Sequence, residues 1–202
     1  MRTRTRTRTK ETNRDGELLV EIIGAQFKVI QDALRALVYF RVIRSELDTD
    51  SKFWISTGNT HLQSFVTDWS KCFGSKKEDT HRSKSVQNRQ DFRRRLMLDT
   101  GLNGRSIKNY VKLMISIRNQ AFSHTDISAA DVFVPNLDKA QEFLKKLHEQ
   151  LRLELQTLNN LTTPVMYKGP GCIDMWLSNL EEEARQVISS AMEASADVSE
   201  HQ

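Results

Sequence analysis

The residues of this chain with the clearest capacity for chemistry lie in the segment Arg118-Asn119-Gln120-Ala121-Phe122-Ser123-His124. Ile107, Val111, Met114, Arg118, Ala121 and Phe122 fall on one helical stripe, so Arg118 takes a slot that periodicity gives to an apolar side chain. Burying a guanidinium is costly unless a carboxylate, a phosphate or several acceptors meet it, and arginine does not discharge itself near neutral pH. One reading is an arginine that snorkels from the edge of the stripe or is tied to an internal carboxylate. The other is an anion clamp for a phosphodiester, with His124 moving a proton and Asn119 donating an amide hydrogen bond. Six residues on an ideal helix turn His124 about 120° away from Arg118 and carry it roughly 9 Å along the axis. The two converge only if the helix ends near Phe122 or if two subunits share a pocket. Asp126 and Asp131 follow, either to orient an imidazole or to cap the turn.

A second concentration of charge lies upstream. Arg89, Arg93, Arg94 and Arg95, preceded by Lys76, Lys77, Arg82 and Lys84, are the one dense basic region outside the N-terminal tail. RNA phosphates would suit them, and so would plain solvent, because no aromatic residues are interleaved for base stacking. His81 falls in an exposed-looking loop, SKKEDTHRSKSVQN, from which it could serve a pocket as an auxiliary group. His148 lies among charged neighbours and reads as solvent-exposed, whereas His61 shares the apolar stripe of its helix. Trp69 and Phe73, one turn apart, read as core packing.

These residues need helices to position them. Apolar rhythm predicts helices near 17–46, 52–73, 89–98, 106–123 and 137–158, with an amphipathic run over 173–196 that can pack on the bundle or on a partner. Ser51 and Asn103 or Ser106 suit helix starts, and Gly74 suits a stop. No segment alternates like a strand, so the expected fold is all-α, an antiparallel helical bundle with an additional C-terminal helix. The domain reading is a disordered basic tail over 1–15, a helical domain over 16–160, a linker over 161–171 and a C-terminal helix with its tail over 172–202.

Composition narrows the function classes. The chain has 202 residues, 30 Lys and Arg against 26 Asp and Glu, and two cysteines. Six of the basic residues and one acid fall within the first fourteen positions, leaving 24 basic and 25 acidic residues in a nearly neutral body. Global charge is therefore no argument for a nucleic-acid-binding fold. Cys72 and Cys172 form neither a close pair nor a zinc pattern, which points to a reducing, cytoplasmic setting without a disulfide framework. The first long apolar helix is interrupted by Glu21, Lys28, Asp32 and Arg35, against a membrane span. No phosphate-binding loop, metal-ligand spacing or nucleotidyltransferase motif is present, so no cofactor and no metal are expected.

The segment RNQAFSHTD resembles the motif of the HEPN superfamily, in which an arginine precedes a histidine by four to six residues; here five residues separate Arg118 and His124. LQSFVTDWSKCFGSKKEDTH is similar to the tryptophan-to-Phe-Gly stretch of that superfamily's abortive-infection, AbiU-like branch. His81 is followed by Arg82 where that branch tends to have tryptophan, and Ser123 stands where alanine is common. The resemblance covers roughly Glu17 to Leu158. It implies a HEPN-type bundle that forms a homodimer and acts as a metal-independent endoribonuclease in defence, abortive infection or a toxin pair, opposed by a separate antitoxin protein. The catalytic positions would then be Arg118, His124 and Asn119, with Asp126 and His81 as auxiliaries and Arg89, Arg93, Arg94 and Arg95 on the RNA. The alternative is a non-catalytic helical module that binds RNA or a protein partner.

Overall fold

A computed structural model of the chain describes residues 4–46, 51–123, 135–160 and 169–199, with side chains over 16–46, 51–120, 135–160 and 169–193. It holds six α-helices and, among the described residues, no strand: α1 (Arg4–Glu46), α2 (Lys52–Phe73), α3 (Arg89–Thr100), α4 (Gly104–Ser123), α5 (Leu137–Asn159) and α6 (Ile173–Ser199). One 3₁₀ turn, Arg82–Lys84, lies between α2 and α3. The all-α bundle is therefore as the apolar rhythm predicts.

The tail reading needs correction. Helix α1 begins at Arg4 and runs through residues expected to be disordered. No Gly or Pro interrupts the Arg-Thr repeat before Gly16, and extending a nucleated helix fixes one residue for each hydrogen bond gained.

Helix α1 is the central element, packing against α2, α5 and α6. Ile23, Ile30, Leu34 and Leu37 project from it into the core and are almost wholly buried. Against them, α2 sets Phe65, Trp69 and Phe73, and α5 sets Phe143, Leu144, Leu147 and Leu151. The rings of Trp69 and Phe73 stack with centroids 4.9 Å apart, and the Trp69 indole N–H donates to the Ala140 carbonyl at 3.1 Å. The aromatic pair is core, as its spacing suggests. Helix α6 buries Ile173, Leu177, Leu180, Ala184 and Ile188 and packs on α1, so the bundle claims that face.

Asparagines start three helices. The side chains of Asn88, Asn103 and Asn136 accept from Asp91 N at 3.1 Å, Ser106 N at 2.9 Å and Asp138 N at 2.8 Å, meeting amides that a first helical turn leaves unpaired. Asn103, rather than Ser106, thus caps α4. Gly101 ends α3 with φ of 66°, a left-handed geometry that a side chain resists. Gly101 and Asn103 thus end α3 and start α4, and Gly104, which opens α4, lines the site described next.

Candidate anion-binding cleft

The segment between α2 and α3 is not the solvated loop that its composition suggests. Gln26, on α1, is fully buried. Its Nε2 donates to the carbonyls of Thr80 at 3.2 Å and His81 at 3.1 Å, while its Oε1 accepts from the Ser85 hydroxyl at 2.5 Å. Ser85 and Val86 are buried with it, and His81 is only 3% exposed. A polar interruption in the α1 stripe is thus the peg on which this segment hangs.

With the segment held, a cleft of about 470 Å³ opens between it, α3 and α4. Its floor is apolar: Val86, Phe92, Leu96, Ile107 and Val111. Around the floor stand Lys76, Arg82, Arg89, Arg93, Lys108 and Lys112, six cations from three parts of the chain, and no carboxylate lines the cleft among the described residues. None of the six has a carboxylate oxygen within ion-pair distance among the described residues, although nine other Lys and Arg side chains do.

Two of the cations are held by neutral groups, and a third has room kept for it. The Arg82 guanidinium lies 5.2 Å from the centroid of the Phe73 ring and reaches the Phe73 carbonyl at 3.5 Å. Burial lowers its pKa, and Arg89 and Arg93 push in the same direction. Arg89 donates to the Ser83 carbonyl at 2.9 Å. The Arg93 guanidinium lies directly over Gly104, where any Cβ would overlap it, so the glycine that opens α4 leaves room for that arginine.

His81 is the buried polar group of the cleft. Its Nδ1 accepts the Ser83 backbone N–H at 3.1 Å and lies 2.8 Å from the Ser83 hydroxyl. A ring nitrogen that accepts an amide N–H carries no proton, which leaves the proton of the neutral ring on Nε2. Burial, reinforced by Arg82, Lys76, Arg89 and Lys84, lowers its pKa to about 4. At neutral pH His81 therefore adds no charge to the cleft.

The arginine cluster divides. Arg89 and Arg93 face the cleft, as an anion-binding role requires. Arg94 and Arg95 do not: both pair with Asp91, at 2.8 and 3.0 Å, and Arg95 also reaches Gln150 on α5. Successive positions on a helix point about 100° apart, so four neighbouring arginines cannot share one face.

Arg118 is not the buried arginine that the stripe implies. Ile117 takes the core position beside Met114, while Arg118 is half-buried on the flank and donates to the side-chain amide oxygen of Asn119 (Oδ1) at 3.2 and 3.0 Å. His124, Asp126 and Asp131 lie outside the described residues, as do the side chains of Ala121 and Phe122, so the Arg118–His124 pairing has no geometry here.

His148, expected on a solvated face, is 1% exposed and lies edge-on to Phe27 with ring centres 5.1 Å apart; burial lowers its pKa to about 4. His61 stacks on Tyr39 at 5.3 Å, in keeping with its stripe. Cys72 and Cys172 are both free, and burial raises the Cys72 thiol pKa to about 12. No cluster of metal-ligating side chains occurs among the described residues, and no described helix is long and apolar enough to cross a membrane.

No family model, curated protein or solved structure matches the chain. The HEPN and AbiU-like labels are corrected accordingly. With them go the endoribonuclease, RNA-binding, abortive-infection, toxin–antitoxin and antiviral roles, which rested on short motifs that these comparisons leave without support. Of those motifs, Trp69 and Phe73 serve the core and Arg118 is tied to Asn119.

Proposed function

We propose that this chain is a helical binding module whose basic cleft takes a small phosphate-bearing ligand. One observation carries the reading: six cationic side chains converge around an apolar floor with no carboxylate among the described residues to neutralise them. Like charges repel, so such a cluster is unfavourable in the empty protein and becomes favourable when an anion fills it. Guanidinium groups match phosphate oxygens through paired N–H donors, while lysines act as point charges. The apolar floor would hold the uncharged part of the ligand, and a volume near 470 Å³ falls within the range of small-molecule sites.

The test is calorimetric titration of the full chain with inorganic phosphate, tripolyphosphate and ATP in a chloride buffer of fixed ionic strength. Saturable binding is expected, weakened about tenfold in Arg93→Ala and in Lys108→Ala and unchanged in Arg94→Ala, whose side chain pairs with Asp91 outside the cleft. Absence of saturable binding by all three probes, or equal weakening in Arg94→Ala, would overturn the reading.

A further inference from the structure

The cleft's charge pattern says more about its ligand than that it bears phosphate. We infer that it takes a compound with two or more neighbouring phosphates on a flat apolar body, of the nucleoside di- or triphosphate class, and takes it free of divalent metal. This rests on the phosphate-binding reading above.

The number of phosphates follows from the number and spread of the cations. Lys76, Arg82 and Arg89 stand on the segment before α3 and its first turn, Arg93 one turn further along α3, and Lys108 and Lys112 on successive turns of α4. Positions four apart on a helix are separated by about 6 Å of rise. A single phosphate is too short to touch both turns of α4 and the arginines across the cleft, whereas a chain of phosphates can bridge them. The body follows from the floor. Val111, with the edges of the otherwise buried Phe92, Leu96 and Ile107, offers apolar surface among the charges, which inorganic polyphosphate would leave uncovered and a nucleoside would cover.

Freedom from metal follows from what surrounds the phosphates. Magnesium bound to a polyphosphate is usually held by one or two protein carboxylates and several waters. Here the described lining supplies cations, Ser83, the His81 imidazole and apolar carbons, and no carboxylate. A magnesium ion on the ligand would cancel half the charge of a triphosphate and bring its own positive charge against six others. It would also occupy phosphate oxygens that the arginines would otherwise bind. Magnesium and the protein therefore compete for the same oxygens.

The experiment compares ATP binding to the full chain in excess EDTA and in excess magnesium chloride, at matched ionic strength, with tripolyphosphate and AMP as further probes. ATP is expected to bind in EDTA and to weaken about tenfold or more in magnesium. Tripolyphosphate and AMP should each bind more weakly than ATP in EDTA, the first lacking the body and the second the phosphate chain. Equal or tighter binding of the magnesium complex would overturn the metal-free inference and leave the phosphate-binding reading standing. AMP binding as tightly as ATP would overturn the polyphosphate part alone. If phosphate, tripolyphosphate and ATP all fail to bind in either condition, both the inference and the reading beneath it fall.

Discussion

The side-chain amide of Gln26 donates to the backbone carbonyl of His81 at 3.1 Å, joining residues 55 positions apart in the chain. Gln26 lies in the middle of α1, where its neighbours Ile23, Phe27 and Ile30 are core residues. A buried amide needs partners, and Gln26 finds them in Thr80, His81 and Ser85. Burial of one polar side chain thereby fixes the segment that brings Lys76, His81 and Arg82 to the cleft.

Replacing Gln26 by leucine should therefore be costly despite the added apolar surface. Two carbonyls and a hydroxyl would lose their partner, the His81 carbonyl and Ser85 hydroxyl in a buried site, a loss of about 2–4 kcal/mol in urea unfolding. Ligand affinity should fall in the same variant, because the loop cations lose their support. A stability change below about 1 kcal/mol would show that the segment is held by other contacts.

Protonation of two buried histidines should weaken the fold as pH falls. His81 and His148 have folded-state pKa values lowered to about 4, against about 6.5 in an unfolded chain. Between those values the unfolded state binds the protons and the folded state does not, so stability is fully present above pH 6.5 and falls as pH drops towards 4. The slope is about 1.4 kcal/mol per pH unit for each histidine once well below 6.5. Thermal unfolding from pH 7.5 to 5 should show a steadily falling midpoint. Ring resonances of both histidines should stay neutral through that range, and protonation of either near pH 6.5 in the folded protein would contradict their burial.

Arg118 and Trp69 provide a contrast between a flank and a core. Arg118 is half-buried and bonded to its sequence neighbour Asn119, so Arg118→Ala should cost less than about 1 kcal/mol. Trp69 is fully buried, touches Phe73, Tyr110 and Phe143 and donates to Ala140, so Trp69→Ala should cost about 3–5 kcal/mol. Denaturant unfolding of both variants checks the pair. A loss above about 2 kcal/mol for Arg118→Ala would restore a structural role to that arginine.

These contrasts show how much a sequence of this kind discloses. The span of α2, the inward set Phe92 and Leu96 on α3, and the stripe of α5 are legible because apolar spacing is a local property. The seating of residues 75–88 is not, because SKKEDTHRSKSVQN contains one aliphatic side chain and is held by a glutamine from another helix. His148 was readable in principle: it lies four residues after Leu144 and three before Leu151, on their face, and its charged neighbours conceal this. Arg118 misleads for the opposite reason, since sharing a stripe by spacing leaves a margin wide enough to separate Ile117 in the core from Arg118 on the flank. The cleft itself is half legible. The basic run from Lys76 to Arg95 announces charge, but only the packing of α3 beside α4 adds Lys108 and Lys112 and directs Arg94 and Arg95 elsewhere.

A cationic cleft with no carboxylate among the described residues implies that the empty protein stores repulsion that its ligand relieves. Removing one cation should then stabilise the empty fold and weaken its response to anions. Arg93 is the residue to remove, because it is exposed, has no carboxylate partner among the described residues and lies over Gly104 without a hydrogen bond that the fold needs. In low-salt chloride, Arg93→Ala should gain about 0.5–1 kcal/mol, raising the unfolding midpoint by roughly 1–4 °C for a chain of this size. Added salt screens the repulsion and should shrink the difference between variant and wild type. Tripolyphosphate should reverse it, since the wild type binds the anion more tightly and binding stabilises the folded state by mass action. Scanning calorimetry of both proteins in low-salt chloride, high-salt chloride and low-salt chloride with tripolyphosphate measures all three effects. If Arg93→Ala is less stable than wild type in every buffer by the same margin, the arginine contributes packing, and stored repulsion in the cleft is wrong.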